Sequence, residues 1–118
     1  MKQNNRQVGE MYEKKAAAYL VSLGYEIIEY NFRCRQGEID IVAKDGECLV
    51  FCEVKYRKNL QKGSPEEAVS IQKKKRISRA ALYYLHKYHL VNVECRFDVV
   101  SILDDEMKLY KNAFDYIG

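Results

Sequence analysis

Two apolar runs that meet at Asp45-Gly46 constrain the fold of this 118-residue chain more than any other feature. Residues 38–44 (EIDIVAK) and 47–56 (ECLVFCEVKY) have strand composition, and Asp-Gly between such runs is a strong two-residue hairpin signal. With Lys44 opposite Glu47, Asp40 falls opposite Phe51 and Glu38 opposite Glu53. Opposed residues of an antiparallel pair share a face, so Glu38, Asp40, Glu53 and Lys55 are predicted to project together. Ile39, Ile41, Ala43, Cys48, Val50, Cys52 and Val54 fill the other face, all apolar. The acidic face also carries Val42, Leu49 and Phe51. A sheet apolar on both faces needs a layer on each side.

Those layers are readable as helices. Val8, Met11, Tyr12, Ala16, Tyr19, Leu20 and Leu23 recur at spacings of three and four, and Gly24 stops the run. Residues 25–32 read as a first strand and 57–63 as a basic loop. Ser64 is a candidate N-cap, with Pro65 at the first helical position and Glu66 and Glu67 in the first turn. Helical spacing continues through Ala68, Ile71, Ile77, Ala81, Leu82, Leu85 and Tyr88, with a break near Ser70. Residues 95–103 form a fourth strand, Asp104-Asp105-Glu106 a turn and 108–111 a short last strand. The expected architecture is one α/β domain over residues 1–118, αβββαβ in order, with a mixed central sheet flanked by helices.

A hydrophobic content of 47% excludes a disordered chain. The net charge of +3 does not by itself call for a nucleic-acid partner, so the distribution of charge matters more than its sum. Cys34, Cys48, Cys52 and Cys95 show no C-x-x-C spacing, and Cys48 and Cys52 sit in an apolar strand, where free cysteine behaves as a small hydrophobe. The first residues lack the apolar core of a signal peptide. No apolar stretch reaches the ~18 residues of a membrane span. A reduced cytoplasmic protein with no membrane partner is expected.

Asp40 and Glu53 carry the chemistry. As diagonal neighbours roughly 7–8 Å apart, their carboxylates can converge on one ion with oxygen ligands at about 2.0–2.1 Å. Glu53 and Lys55, two apart on a strand, point the same way; the bland alternative is an ion pair on a solvated strand. Glu10, beside the apolar face of the first helix, is a further candidate, or else a first-turn acid favoured by the helix dipole. Basic residues gather nearby: Arg57, Lys58 and Lys62 at the strand exit, then Lys73, Lys74, Lys75, Arg76 and Arg79 on the second helix. Facing phosphates, they give salt-dependent binding; facing water, they are a solvated helix surface. His86 and His89, late in that helix, read as surface residues rather than catalytic ones.

Glu10, Gly37-Glu38-Ile39-Asp40, Phe51-Cys52-Glu53-Val54-Lys55, Pro65-Glu66-Glu67-Ala68-Val69 and Arg96-Phe97-Asp98-Val99-Val100 occur in that order, and the pattern resembles the YraN family. That family is similar to the restriction-endonuclease-like PD-(D/E)xK superfamily and close in layout to archaeal Holliday junction resolvases. The resemblance implies a restriction-endonuclease-like αβββαβ core and Mg²⁺- or Mn²⁺-dependent phosphodiester hydrolysis of structured or branched DNA. It implies a catalytic set of Glu10, Asp40, Glu53 and Lys55, and a metal held by Asp40, Glu53 and the main-chain carbonyl of Val54. It also allows a homodimer, because a junction has two-fold symmetry. Two positions depart from the pattern. Ile39 stands where the superfamily has proline, and Lys73-Lys74 where such chains commonly carry Lys-Gln, the glutamine being absent or displaced to Gln72. The competing expectation is a non-catalytic nucleic-acid-binding or protein-interaction module that keeps the fold.

Overall fold

The computed structural model, which describes residues 5–57 and 69–118, opens with α1 (Asn5–Ser22). Gly24, at φ 95, turns the chain out of the helix in a conformation that glycine adopts freely. Strands β1 (Glu26–Cys34), β2 (Gly37–Asp45) and β3 (Cys48–Arg57) follow as an antiparallel meander. Helix α2 (Ile71–Lys87) lies in the crossover that sets β4 (Cys95–Leu103) parallel to β3, and β5 (Glu106–Phe114) returns antiparallel. Strand order in the mixed sheet is β1-β2-β3-β4-β5. The expected αβββαβ order is present, extended by one strand. Among the described residues, no helix is long and apolar enough to cross a membrane.

Each face of the sheet has its helix. Ala16, Ala17 and Leu20 of α1 pack on Ile41, Ala43, Val50, Cys52, Val100 and Ile102. Ile77, Ala80, Ala81 and Tyr84 of α2 pack on Val42, Leu49, Phe51, Phe97 and Val99. Leu82, assigned to the apolar stripe from its spacing, is instead 54% exposed, because the buried stripe runs through Ile77, Ala81 and Tyr84. Ser70 marks the start of α2: its hydroxyl accepts the Lys73 N–H at 3.1 Å, as an N-cap does. The start expected at Ser64-Pro65 lies outside the described residues. Strand β5 is longer than the expected 108–111, since it follows β4 past a register shift between Phe97 and Val99, where Asn112 takes φ 52.

The hairpin differs from expectation by one step. Asp45 pairs with Cys48, so the two turn residues are Gly46 and Glu47 rather than Asp45 and Gly46. Gly46 takes φ 61 at the first turn position, as a type II′ turn requires. Asp45 stays in the strand because its carboxylate is held by Arg96 at 2.7 Å, which also keeps the carboxyl below its usual titration range. The shift brings Val42 opposite Phe51 and Ile41 opposite Cys52. Continued one step, it brings Asp40 level with Glu53 instead of Phe51.

Arg96 belongs to a buried polar clamp. Asp98, fully buried, accepts from Arg96 Nε at 3.0 Å, from Tyr25 Oη at 2.9 Å and from the Asn112 N–H at 2.9 Å. Arg96 also donates to Tyr25 Oη at 2.6 Å. One carboxylate thereby joins the entry to β1, the end of β2, the start of β4 and the irregular point of β5. The partner set satisfies the charge that burial would otherwise penalise.

Candidate functional site

The β2–β3 ladder ends at Ile41–Cys52. Beyond it β2 stays with β1 as far as Gly37, while β3 stays with β4 as far as Arg57. The two strands therefore part, and Asp40 and Glu53 stand where they separate. Alternation also breaks here. Ile39 packs with Phe32 and Val42 on the α2 side, whereas Ile41 packs on the α1 side. Across from Asp40, Asn31 takes φ 50 within β1. Such irregularities re-aim side chains, and Asp40 Oδ2 accepts the Val54 N–H of β3 at 2.9 Å. The expectation that Ile39 shares the face of Ile41 is thus corrected: the strand turns over at Asp40.

Glu53 is 5% exposed and lies on the α2 side, where Lys73 Nζ approaches its Oε2 to 3.4 Å. Burial first, then the charge of Asp40 and a hydrogen bond with it, push the Glu53 carboxyl up to about 9; Lys73 offsets this only in part. Burial and the neighbouring Asp40 thus favour the protonated form of Glu53. Lys55 follows Glu53 on the same side of β3, half-buried, level with Ser101 of β4. The ion-pair contact of Glu53 is with Lys73 of α2, not with the Lys55 of the bland alternative.

Glu13 joins the site without having been expected there from the sequence. Its carboxyl is pushed up to about 7 by burial and by the charge of Asp40, with smaller effects of Glu38 and Glu10 and an opposing hydrogen bond from Asn31. A signal for it existed: Glu13 lies one turn before Ala16 and Ala17 and two before Leu20, on the stripe that α1 buries. Glu10 is exposed one turn earlier, and its charge acts on Glu13. Among the other basic candidates, Arg57 borders the groove beside Ser101 and Lys108, and Lys74 sits over the Phe114 ring at 5.7 Å. Lys58 and Lys62 lie outside the described residues.

Gly37 sets how closely α2 approaches this end of the sheet. A Cβ there would stand 2.6 Å from the Arg76 carbonyl oxygen, closer than real Cβ atoms come to backbone. Gly37→Ala is therefore expected to push the start of α2 outward and lower stability by about 1–3 kcal/mol. A urea midpoint equal to wild type would show that the contact yields without strain.

The donor set can be tested against a metal. Asp40, Glu53 and the Val54 carbonyl are hard oxygen donors, two acids that meet with one lysine, Lys73, in contact. That fits a small divalent cation, which keeps several waters and needs few protein ligands. Among the described residues no group of three or more His, Cys, Asp or Glu side chains is arranged to hold an ion.

Over residues 12–102 the chain matches the family described as uncharacterised protein family UPF0102. It is 53% identical over 116 residues to a UPF0102 protein of Lachnoclostridium phytofermentans, covering 98% of each chain. A UPF0102 protein of Caldicellulosiruptor saccharolyticus is 41% identical over 117 residues, 94% of this chain and 99% of the relative. One from Syntrophus aciditrophicus is 47% identical over 115 residues, covering 94% and 91%.

Proposed function

Because the chain belongs to the UPF0102 family, the YraN group that its motifs resemble, we propose that it is a metal-dependent nuclease centred on Asp40 and Glu53. The observation that carries this reading is geometric: Asp40 and the buried Glu53 stand together where β2 and β3 part, with burial and then the charge of Asp40 raising the Glu53 carboxyl. Buried acids with raised carboxyls beside a second acid gather at functional sites, where a cation can take the place of the proton.

Bound to these residues, Mg²⁺ or Mn²⁺ would supply a Lewis acid and an acidified water for attack on a phosphodiester. Glu53 would hold the ion as a carboxylate, so binding would be favoured as pH rises. Asp40 stays oriented by the Val54 N–H, which fixes one oxygen and leaves the other to face the site. Lys55 orients the attacking water or offsets charge on the phosphate, and Lys73 adds a second cation from α2. Glu13 takes the position from α1 that the sequence assigned to Glu10, as a base or outer ligand with a carboxyl that titrates near neutrality. The substrate on this reading is structured or branched DNA, met by a homodimer on a two-fold junction.

The test is cleavage of junction, flap, single-stranded and duplex DNA, and of RNA, in Mg²⁺ and in Mn²⁺. Wild type is expected to cut at least one of them. Lys55→Ala is expected to lower turnover about 10²–10³-fold with little change in metal affinity. Turnover no higher than that of Glu53→Gln on every substrate would leave the binding-module reading in place. The sparse donor set favours that second reading: among the described residues Asp40 and Glu53 are not joined by a third side chain placed to hold an ion with them, and such a site grips nucleic acid without cutting it.

A further inference from the structure

Beside the fork, where β1 turns into β2, a cleft of about 390 Å³ is lined by Arg33, Arg35, Lys73 and Arg76. Among the described residues Glu38 is its one acid, and it is engaged by Arg33 Nε at 2.9 Å, which leaves the other N–H groups of that guanidinium for a ligand. The cleft exists because Gly37 has no side chain: the Arg76 backbone can pack on it, bringing α2 against the turn. Four cations against one carboxylate call for an anion. Arginines present paired donors that match phosphate oxygens. No aromatic ring lines the cleft, so it offers nothing for a base to stack on. Lys73 contacts Glu53 and also lines the cleft, so the two places adjoin.

We propose that this cleft binds a backbone phosphate adjacent to the one at Asp40 and Glu53, an inference that rests on the nuclease reading above. Arg33 and Arg35, absent from the basic set expected from the sequence, join Lys73 and Arg76 in holding it. Contacts of this kind fix the register of a strand without reading its sequence.

The test is fluorescence anisotropy of labelled single-stranded and branched DNA, in EDTA and across a salt series. It compares wild type, Arg35→Gln/Arg76→Gln, and a charge-matched control, Lys14→Gln/Lys87→Gln, whose exposed lysines lie outside the cleft. The cleft pair is expected to lower the slope of log affinity against log salt by about 1, the value for one lost phosphate contact. The control should stay nearer wild type. A cleft variant indistinguishable from the control overturns the proposal. If the double variant fails to fold, Arg35→Gln alone serves, with a fall in slope in the same direction that the control does not show. Equal losses on 5′-phosphorylated and 5′-hydroxyl strands support an internal phosphodiester; a loss confined to phosphorylated ends overturns that assignment. EDTA separates the two readings. A protein that never cuts yet keeps this contrast refutes the nuclease and leaves the cleft, whereas one that cuts without the contrast does the reverse.

Discussion

Asp98→Ala is expected to lower the unfolding free energy by about 3–5 kcal/mol, the range for breaking a buried ion pair from one side. The substitution takes from Arg96 its partner inside the sheet, and from Tyr25 and the Asn112 N–H the carboxylate to which both donate. Arg96 retains Asp45, which is more exposed than Asp98 and shared with Lys111 at 3.5 Å. Asp98→Asn keeps the shape and loses the charge, so it should fall between wild type and alanine. Equilibrium urea unfolding measures both. A loss under about 1 kcal/mol for alanine, the scale of an exposed ion pair, would show that the clamp is ornamental.

Glu53→Gln is expected to act in the opposite direction, stabilising the protein in EDTA. The carboxyl ordinarily titrates near 4.5 and is pushed up to about 9 in the fold, chiefly by burial and then by Asp40. The native state thus holds a proton that the unfolded chain has released. Stability contributed by the group falls as pH rises between those two values. The amide neither ionises nor repels Asp40, so the advantage of the variant should be absent near pH 4 and grow toward pH 9. Each tenfold difference in proton affinity between the folded and unfolded chain is worth about 1.4 kcal/mol, so the advantage should reach on the order of 2 kcal/mol or more at the alkaline end. Mg²⁺ should reverse the order, since mass action stabilises only a protein that binds the ion. Thermal unfolding across pH, with and without Mg²⁺, tests both arms. A pH-independent difference would mean that Glu53 titrates normally.

Most of the layered plan was legible because periodicity reports burial, and burial is what layers are made of. Ala16, Leu20, Val42, Phe51, Ile77 and Ala81 each went to a core on pattern alone or by alternation from a neighbour, whereas Ile71, Leu82 and Tyr88, placed on the same stripe, are exposed. Sharing of a face survived the wrong turn position because both strands moved by one, which preserves parity. The irregularity at Asn31 and Asp40 was not legible. A positive φ at asparagine leaves no trace in hydrophobic period, and it is what aims Asp40 across to β3. Lys73 as the partner of Glu53 was equally out of reach, since it depends on how far α2 slides along the sheet. Gly37 governs that distance, and a glycine in a turn announces freedom rather than a close neighbour. The resemblance to a nuclease family pointed to the two acids that meet at the fork; it could not say that Glu13 would feel the charge of Asp40.

The parallel seam between β3 and β4 also governs how the chain reaches its fold. It joins Leu49 to Cys95 and Arg57 to Leu103, closing a loop of roughly 45 residues, a slow step beside hairpin formation. The β1–β2–β3 meander needs only neighbouring chain, so Asp40 and Glu53 can meet early. Lys73 comes to Glu53 only when α2 docks, and the Asp98 clamp closes only when β4 arrives. During synthesis, a chain that has emerged only through β3 presents that strand's apolar edge with nothing beside it. That interval is when pairing between copies competes with folding, and substitutions that delay the arrival of β4 should appear first as lost yield.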